Sequence, residues 1–372
     1  MANQNIRTPR FYPDYISYLL SRGVAQNTNF DVTATNASAK FMGTFTTGSE
    51  AELFDMNPLN LVTFDTSADT DGHVLITINK GDATQKINYI AILNHNLVSS
   101  VGKIRIFAGN HSTDVASIDG TAAEIDGTGI NWSDNLPVEI VNADTIAHAS
   151  SAQGSTYEDK SVTIEPGTNG TTIFTFPETS LQYWGIQFEG NTTNTGVSVN
   201  GTWGSTDFSV GCIMMGEYYD MPHAPELSVK KSITFDQVSI QKSIGGQKFS
   251  NMTSFGRTAS TTSKSPFSIS SFPQNIYGGR ISYDMQFNYL ASTDLMPNET
   301  GSVQPTDDAV IEDVWNKTNG NHLPFIFSID KDSTANNAES EHIFARFGQN
   351  SLDMTQVAPD VFNISMRIEE EF

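Results

Sequence analysis

Between Ile87 and Leu93 the chain reads INYIAIL, an apolar run broken only by Asn88 and rich in β-branched and aromatic side chains. Asn94, His95 and Asn96 then interrupt it with turn-forming polar groups. A continuous apolar run of this length, closed by turn residues, is the pattern of a strand buried on both faces. The next strand, expected over Lys103–Ala108, alternates instead. Ile104 and Ile106 are placed inward, Lys103 and Arg105 outward, so this neighbour is expected to be half exposed. A doubly buried strand beside a half-exposed one belongs in the middle of a β-sandwich.

Composition agrees with a β-dominated fold. Only 17% of the 372 residues are charged and 38% are hydrophobic. Much of the remainder is Asn, Ser, Thr and Gly, which favour turns and exposed strands over helices. The length suits about two domains. The formal charge is −22, which argues against nucleic-acid binding, because phosphate contacts need clustered Lys and Arg. One cysteine, Cys212, excludes an internal disulfide framework and lies in the apolar run Val210–Met215, where it reads as a small buried hydrophobe. Arg7, Arg10 and Asp14 interrupt the N-terminus, so no secretory leader is expected there, and no apolar stretch has the length of a membrane span. The chain is expected to fold in the cytosol and to act elsewhere as part of a particle.

Three divisions are expected along the chain. Residues 1–30 form an N-terminal arm with a short amphipathic helix. Tyr15 and Leu19, like Ile16 and Leu20, lie four apart on one face, and Arg22 and Gly23 supply stop signals. A single short helix cannot bury its face alone. Arg7, Arg10, Tyr15 and Leu19 are therefore the candidates for contact with a neighbouring protomer. Residues 31–221 form the β-sandwich, with long polar loops at about 110–160. Two prolines in Met221–Leu227 mark a boundary. Residues 222–372 form a smaller β-rich domain with one helix, Asp307–Asn319. In this domain Ile281, Tyr283, Met285, Phe287 and Tyr289 alternate with polar residues as a half-buried strand. Val310/Val314 and Ile311/Trp315 give the helix a stripe expected to pack across that strand with Trp315 inward.

Candidate chemistry is sparse. The seven histidines include no HxH or HExxH pair, so zinc has no support. His95 reads as a structural, hydrogen-bonded imidazole, and Trp184 as a structural core residue. The run Asp65–Gly72 spaces carboxylates like a calcium loop, but Ile78 stands where a bidentate Glu belongs. Asp69 and Asp71 remain only as weak metal candidates, and Asp330 and Asp332 read as a solvated turn. There is no GxSxG, phosphate-binding loop or kinase signature. Trp132, in the loop region, is an expected exposed aromatic that could stack on a sugar, although a packing role is favoured. No cofactor is expected, and no enzyme.

Several segments carry a resemblance. They are PRFYPDYISYLLSRG; INYIAILNHNL with GKIRIFAG; YWGIQFEG with FSVGCIMMGEYYDMP; SITFDQVSIQKSIGGQKFS; and, near the end, LPFIFSID, HIFARFG and SMRIEEEF. Together they resemble a family of structural proteins from tailed, especially marine, bacteriophages. The resemblance implies a galactose-binding-like jelly-roll sandwich followed by a tail-tube or distal-tail type of module. It implies a non-enzymatic virion component of a ring, tail tip or fibre attachment, assembled in the bacterial cytoplasm. Its partners would be copies of itself and other tail proteins. A carbohydrate-binding adhesin, or a head fibre or decoration protein contacting host glycans, is the competing reading. A glycan-active enzyme comes third.

Overall fold

The structure, a computed structural model, describes residues 7–23, 30–33, 45–68, 72–81, 85–111, 130–132, 134–148, 161–191, 201–235, 238–252, 265–267, 279–296, 309–334 and 338–371. It is mainly β, and every strand pairing among the described residues is antiparallel.

A six-stranded sheet packs against a four-stranded one. In the first, Tyr183–Gly190 lies between His73–Asn79 and Gly102–Gly109. In the second, Ile87–His95 lies between Cys212–Gly216 and Gly170–Thr179. The core between them takes Val74, Ile76, Ile104, Ile106, Trp184 and Ile186 from one side. Ile90, Ile92, Phe174 and Met215 come from the other. A three-stranded sheet, with Phe64 stacked on Phe208 at 5.6 Å, closes one edge.

The other face of the four-stranded sheet is also buried. Tyr89, Ala91, Leu93, Ile173, Cys212 and Met214 meet Tyr12, Ile326 and Phe344 from an eight-stranded sheet. This explains the central run: period-two alternation sends Ile90 and Ile92 into one core and Tyr89, Ala91 and Leu93 into another. The eight-stranded sheet alternates in the same way. Phe11, Phe325, Phe327 and Phe347 turn to a third core, covered by Val310 and Val314. The chain is thus a stack of three sheets capped by a short helical segment, with apolar side chains filling each gap.

Four expectations are corrected here. First, the eight-stranded sheet is not confined to residues 222–372, because Arg10–Pro13 forms a strand between Tyr219–Asp220 and Phe325–Ser328. The N-terminal segment is an internal strand, not an arm. Its helix Tyr15–Ser21, capped by Asp14 accepting from the Ser17 amide at 2.7 Å, packs on the chain's own sandwich core. Second, the helix of the second half is a π-helix over Val310–Asn316, and 307–308 lie outside the described residues. Short α-helices at Ser292–Leu295 and Ala338–Glu341 mean that it is not the sole helical element of this half. The wider winding buries Val310 and Val314 and leaves Ile311 and Trp315 half exposed.

Third, the strand Arg280–Ala291 shifts register between Phe287 and Leu290. Tyr289 there has φ 62° and is 74% exposed, on neither the expected face nor the expected backbone. Fourth, Lys103 and Arg105 are buried, not solvent-facing.

Candidate functional site

Two kinds of arrangement stand out: charges buried on the outer face of the six-stranded sheet, and a projection left outside the stack. The buried group sits on the sheet face away from the sandwich core. Glu189, nearly inaccessible, accepts from Arg105 Nη2 at 3.0 Å and lies 3.2 Å from Lys103 Nζ. Gln187 Nε2 donates to the other carboxylate oxygen at 3.0 Å, and Arg105 Nη1 donates to Ser161 Oγ at 3.2 Å. Two cations on one carboxylate, all out of water, form a structural clamp joining neighbouring strands. Period-two reading put both cations on one face but could not say that the face was covered.

The predicted assembly residues divide. Arg10 is internal. Its Nη2 donates to Asp220 Oδ2 at 2.8 Å and its guanidinium lies 3.9 Å from the Tyr218 ring centre. Burial opposes its charge most strongly, but the hydrogen bond and charge of Asp220 together with Tyr12 outweigh that and raise its pKa further above the ordinary range. Tyr15 is buried in the sandwich core and Leu19 packs partly against it. Only Arg7 is substantially exposed, 3.3 Å from Asp330. All four side chains are therefore engaged within their own chain, Arg7 while still half exposed. Asp330 Oδ1 also accepts the Asp332 amide at 3.0 Å, so that pair shapes a turn.

His95 is buried at the junction of two sheets. The Leu97 amide donates to its Nδ1 at 3.3 Å, so Nε2 carries the proton toward Thr172 Oγ1 at 2.7 Å. Burial lowers its pKa to about 3 and keeps it neutral. Trp184 is fully buried, with its indole donating to the Leu181 carbonyl at 3.0 Å. Trp315 rests on Phe347 at 5.0 Å but stays half exposed. Trp132 is 2% exposed and meets Phe176 edge-on at 5.7 Å. It is core rather than a sugar platform. With Ile130, it also shows that the loop region is not wholly peripheral. Asp69 and Asp71 lie outside the described residues. Among the described residues no cluster of three His, Cys, Asp or Glu could hold a metal, and no helix is long and apolar enough to cross a membrane.

In the sequence, Gly245 and Gly246 between Ile233–Ile240 and Lys248–Phe255 signal the projection as a hairpin or bulged turn. Val238–Lys242 pairs with Lys248–Met252 as a two-stranded sheet that, among the described residues, joins none of the others. Gly246, at φ 85°, allows its tight turn. Ile240 is 63% exposed and Phe249 59%, on opposite faces, and Ile244 at the tip is wholly in solvent. Lys242 and Lys248 sit directly across from one another. Among the described residues neither has a carboxylate partner.

Elsewhere, a groove of about 850 Å³ runs between the first helix, the turn after Phe54 and the end of the last strand. A smaller cleft of about 440 Å³ is lined by Gln286, Gln349, Ser351, Asp353, Thr355 and Asn363 among others. Comparison with protein-family models, curated proteins and solved structures finds no match. Fold and surface define the class: a multi-sheet β-protein, antiparallel throughout the described residues, with an exposed hairpin that pairs with no other described strand.

Proposed function

We propose that this chain is a non-enzymatic structural subunit of a tailed-bacteriophage virion, acting in a ring-forming tail, tail-tip or fibre-attachment assembly. The observation that carries the assembly part is the hairpin Val238–Met252. A lone two-stranded hairpin is marginal in water, and this one exposes Val238, Ile240, Ile244 and Phe249. Apolar side chains held out on a projection are the mark of a surface that is covered in the working state. The bacteriophage part rests on the sequence resemblance, as does the jelly-roll description of the sandwich. Electron micrographs of phage particles labelled with an antibody to this chain test it: label at a fixed place on the tail supports it, and unlabelled particles overturn it.

A second reading, glycan binding, is favoured by the smaller cleft, whose amide, hydroxyl and carboxylate groups match sugar hydroxyls. Binding on a glycan array that Asp353→Ala abolishes would support it.

A further inference from the structure

Charge is unevenly shared along this chain. Residues 228–280 hold seven Lys and Arg against the single acid Asp236, a net of +6, while the other 319 residues carry −28. The hairpin lies in the basic segment. Lys242 and Lys248 repel across their strands, because like charges directly opposite are destabilising. What the hairpin lacks is a partner with both apolar surface and negative charge.

The 850 Å³ groove has both. Leu20, Met56 and Leu323 line it, each only partly buried. Four carboxylates, Asp55, Glu369, Glu370 and Glu371, line it with two guanidiniums, Arg280 and Arg346, and Glu369 also pairs with Arg367 at 2.7 Å, so the acids outnumber the cations by one. Asp55 lies on an exposed turn, and the side chains of Glu369 and Glu371 are 46% and 41% exposed. Glu369 and Glu371 already hold Arg367 and Arg346 and would share their charge with an incoming ammonium, whereas among the described residues Asp55 pairs with no cation.

We propose that the hairpin of one copy docks tip-first into this groove of a second copy. Ile244 meets Leu20, Met56 and Leu323, and Lys242 and Lys248 meet Asp55, Glu369 and Glu371. This rests on the assembly reading above and names its partner surface. Docking replaces lysine–lysine repulsion with attraction and removes the exposed isoleucine from water.

Sedimentation of the full chain over a range of concentration and salt tests it. The wild type is expected to self-associate, more weakly as salt rises. Lys242→Glu with Lys248→Glu, and separately Asp55→Lys with Glu371→Lys, should each weaken association about tenfold or more. The chain carrying all four changes should recover it, because both signs are reversed. Glu371 also holds Arg346, so circular dichroism checks that the groove variant folds, and Leu20→Lys serves as a second groove variant. If the hairpin changes break association and no groove change does, the groove is overturned while the assembly reading stands. A wild type that stays monomeric throughout, or is indifferent to the hairpin changes, overturns both.

Discussion

At the scale of single residues, stability is tied to groups kept neutral or paired out of water. His95 and His342 are both buried, and burial lowers their pKa values to about 3 and about 4 from an ordinary 6.5. Unfolded, both take up protons near 6.5, so the stability they contribute is present above that pH and is lost as pH falls toward 4. Asp14 works the other way. Burial raises its carboxyl to about 6 from 3.8, against the hydrogen bonds from Ser17, so its ionisation costs stability as pH rises between those values. Burial raises Asp55, Glu139 and Glu370 in the same sense as Asp14. The part of the urea midpoint that follows His95 should climb from pH 4 to pH 6.5, by on the order of 3 kcal/mol. His95→Gln should flatten that slope, and an unchanged slope would place the pH dependence elsewhere. The Glu189 clamp makes a second expectation. Glu189→Gln leaves Lys103 and Arg105 buried without their carboxylate and should cost about 3–5 kcal/mol in urea unfolding.

At the scale of elements, the helical segment differs from its sequence pattern in an instructive way. Four-apart spacing in Val310, Ile311, Val314 and Trp315 suits an α-helix, but Gly320 donates to the Trp315 carbonyl five residues back, at 2.8 Å. Trp315 lies at the edge of the core, partly buried, with its ring against Phe347. Trp315→Ala should accordingly cost about 1–2 kcal/mol in unfolding, less than a fully buried tryptophan would. Lys317, paired with Asp313 at 2.8 Å and Glu217 at 3.4 Å, ties this segment to the crossover between the two halves. The loop region also has an element-level consequence. Excising 112–137 removes Ile130 and Trp132 from the sandwich core and should lower the melting temperature by about 10 °C. Calorimetry on the excised chain decides whether that burial matters.

At the scale of the whole molecule, three sheets share two intersheet cores, and the N-terminal strand crosses into the far sheet. Phe11 turns to one core of that sheet and Tyr12 to the other, both almost inaccessible. Tyr89 Oη donates to the Pro13 carbonyl at 2.8 Å, and the Met215 amide donates to Asp14 Oδ1 at 3.0 Å, so the sandwich also grips this segment. Deleting residues 1–23 should abolish the cooperative fold, not assembly alone. Near-ultraviolet circular dichroism and a calorimetric trace would show it, and a truncated chain melting like the intact one would contradict the shared core.

The amino-acid sequence by itself determined the mainly β class, the doubly buried strand over Ile87–Leu93, which the structure extends to His95, and several of the places where turns fall. Those follow from alternation and turn chemistry within a few residues of each position. The tertiary structure alone decided which faces are covered. Alternation states that Lys103 and Arg105 share a side, but whether that side meets water depends on residues distant in sequence, Glu189 among them. It states equally that Arg7 and Arg10 are cations, but only pairing with Asp220, over two hundred positions away, made Arg10 an internal residue. The groove belongs to the same category. Its acids come from both ends of the chain, Asp55 near one and Glu369 to Glu371 at the other. Local pattern carries no information about such distances, because it is the packing of sheet on sheet that sets them.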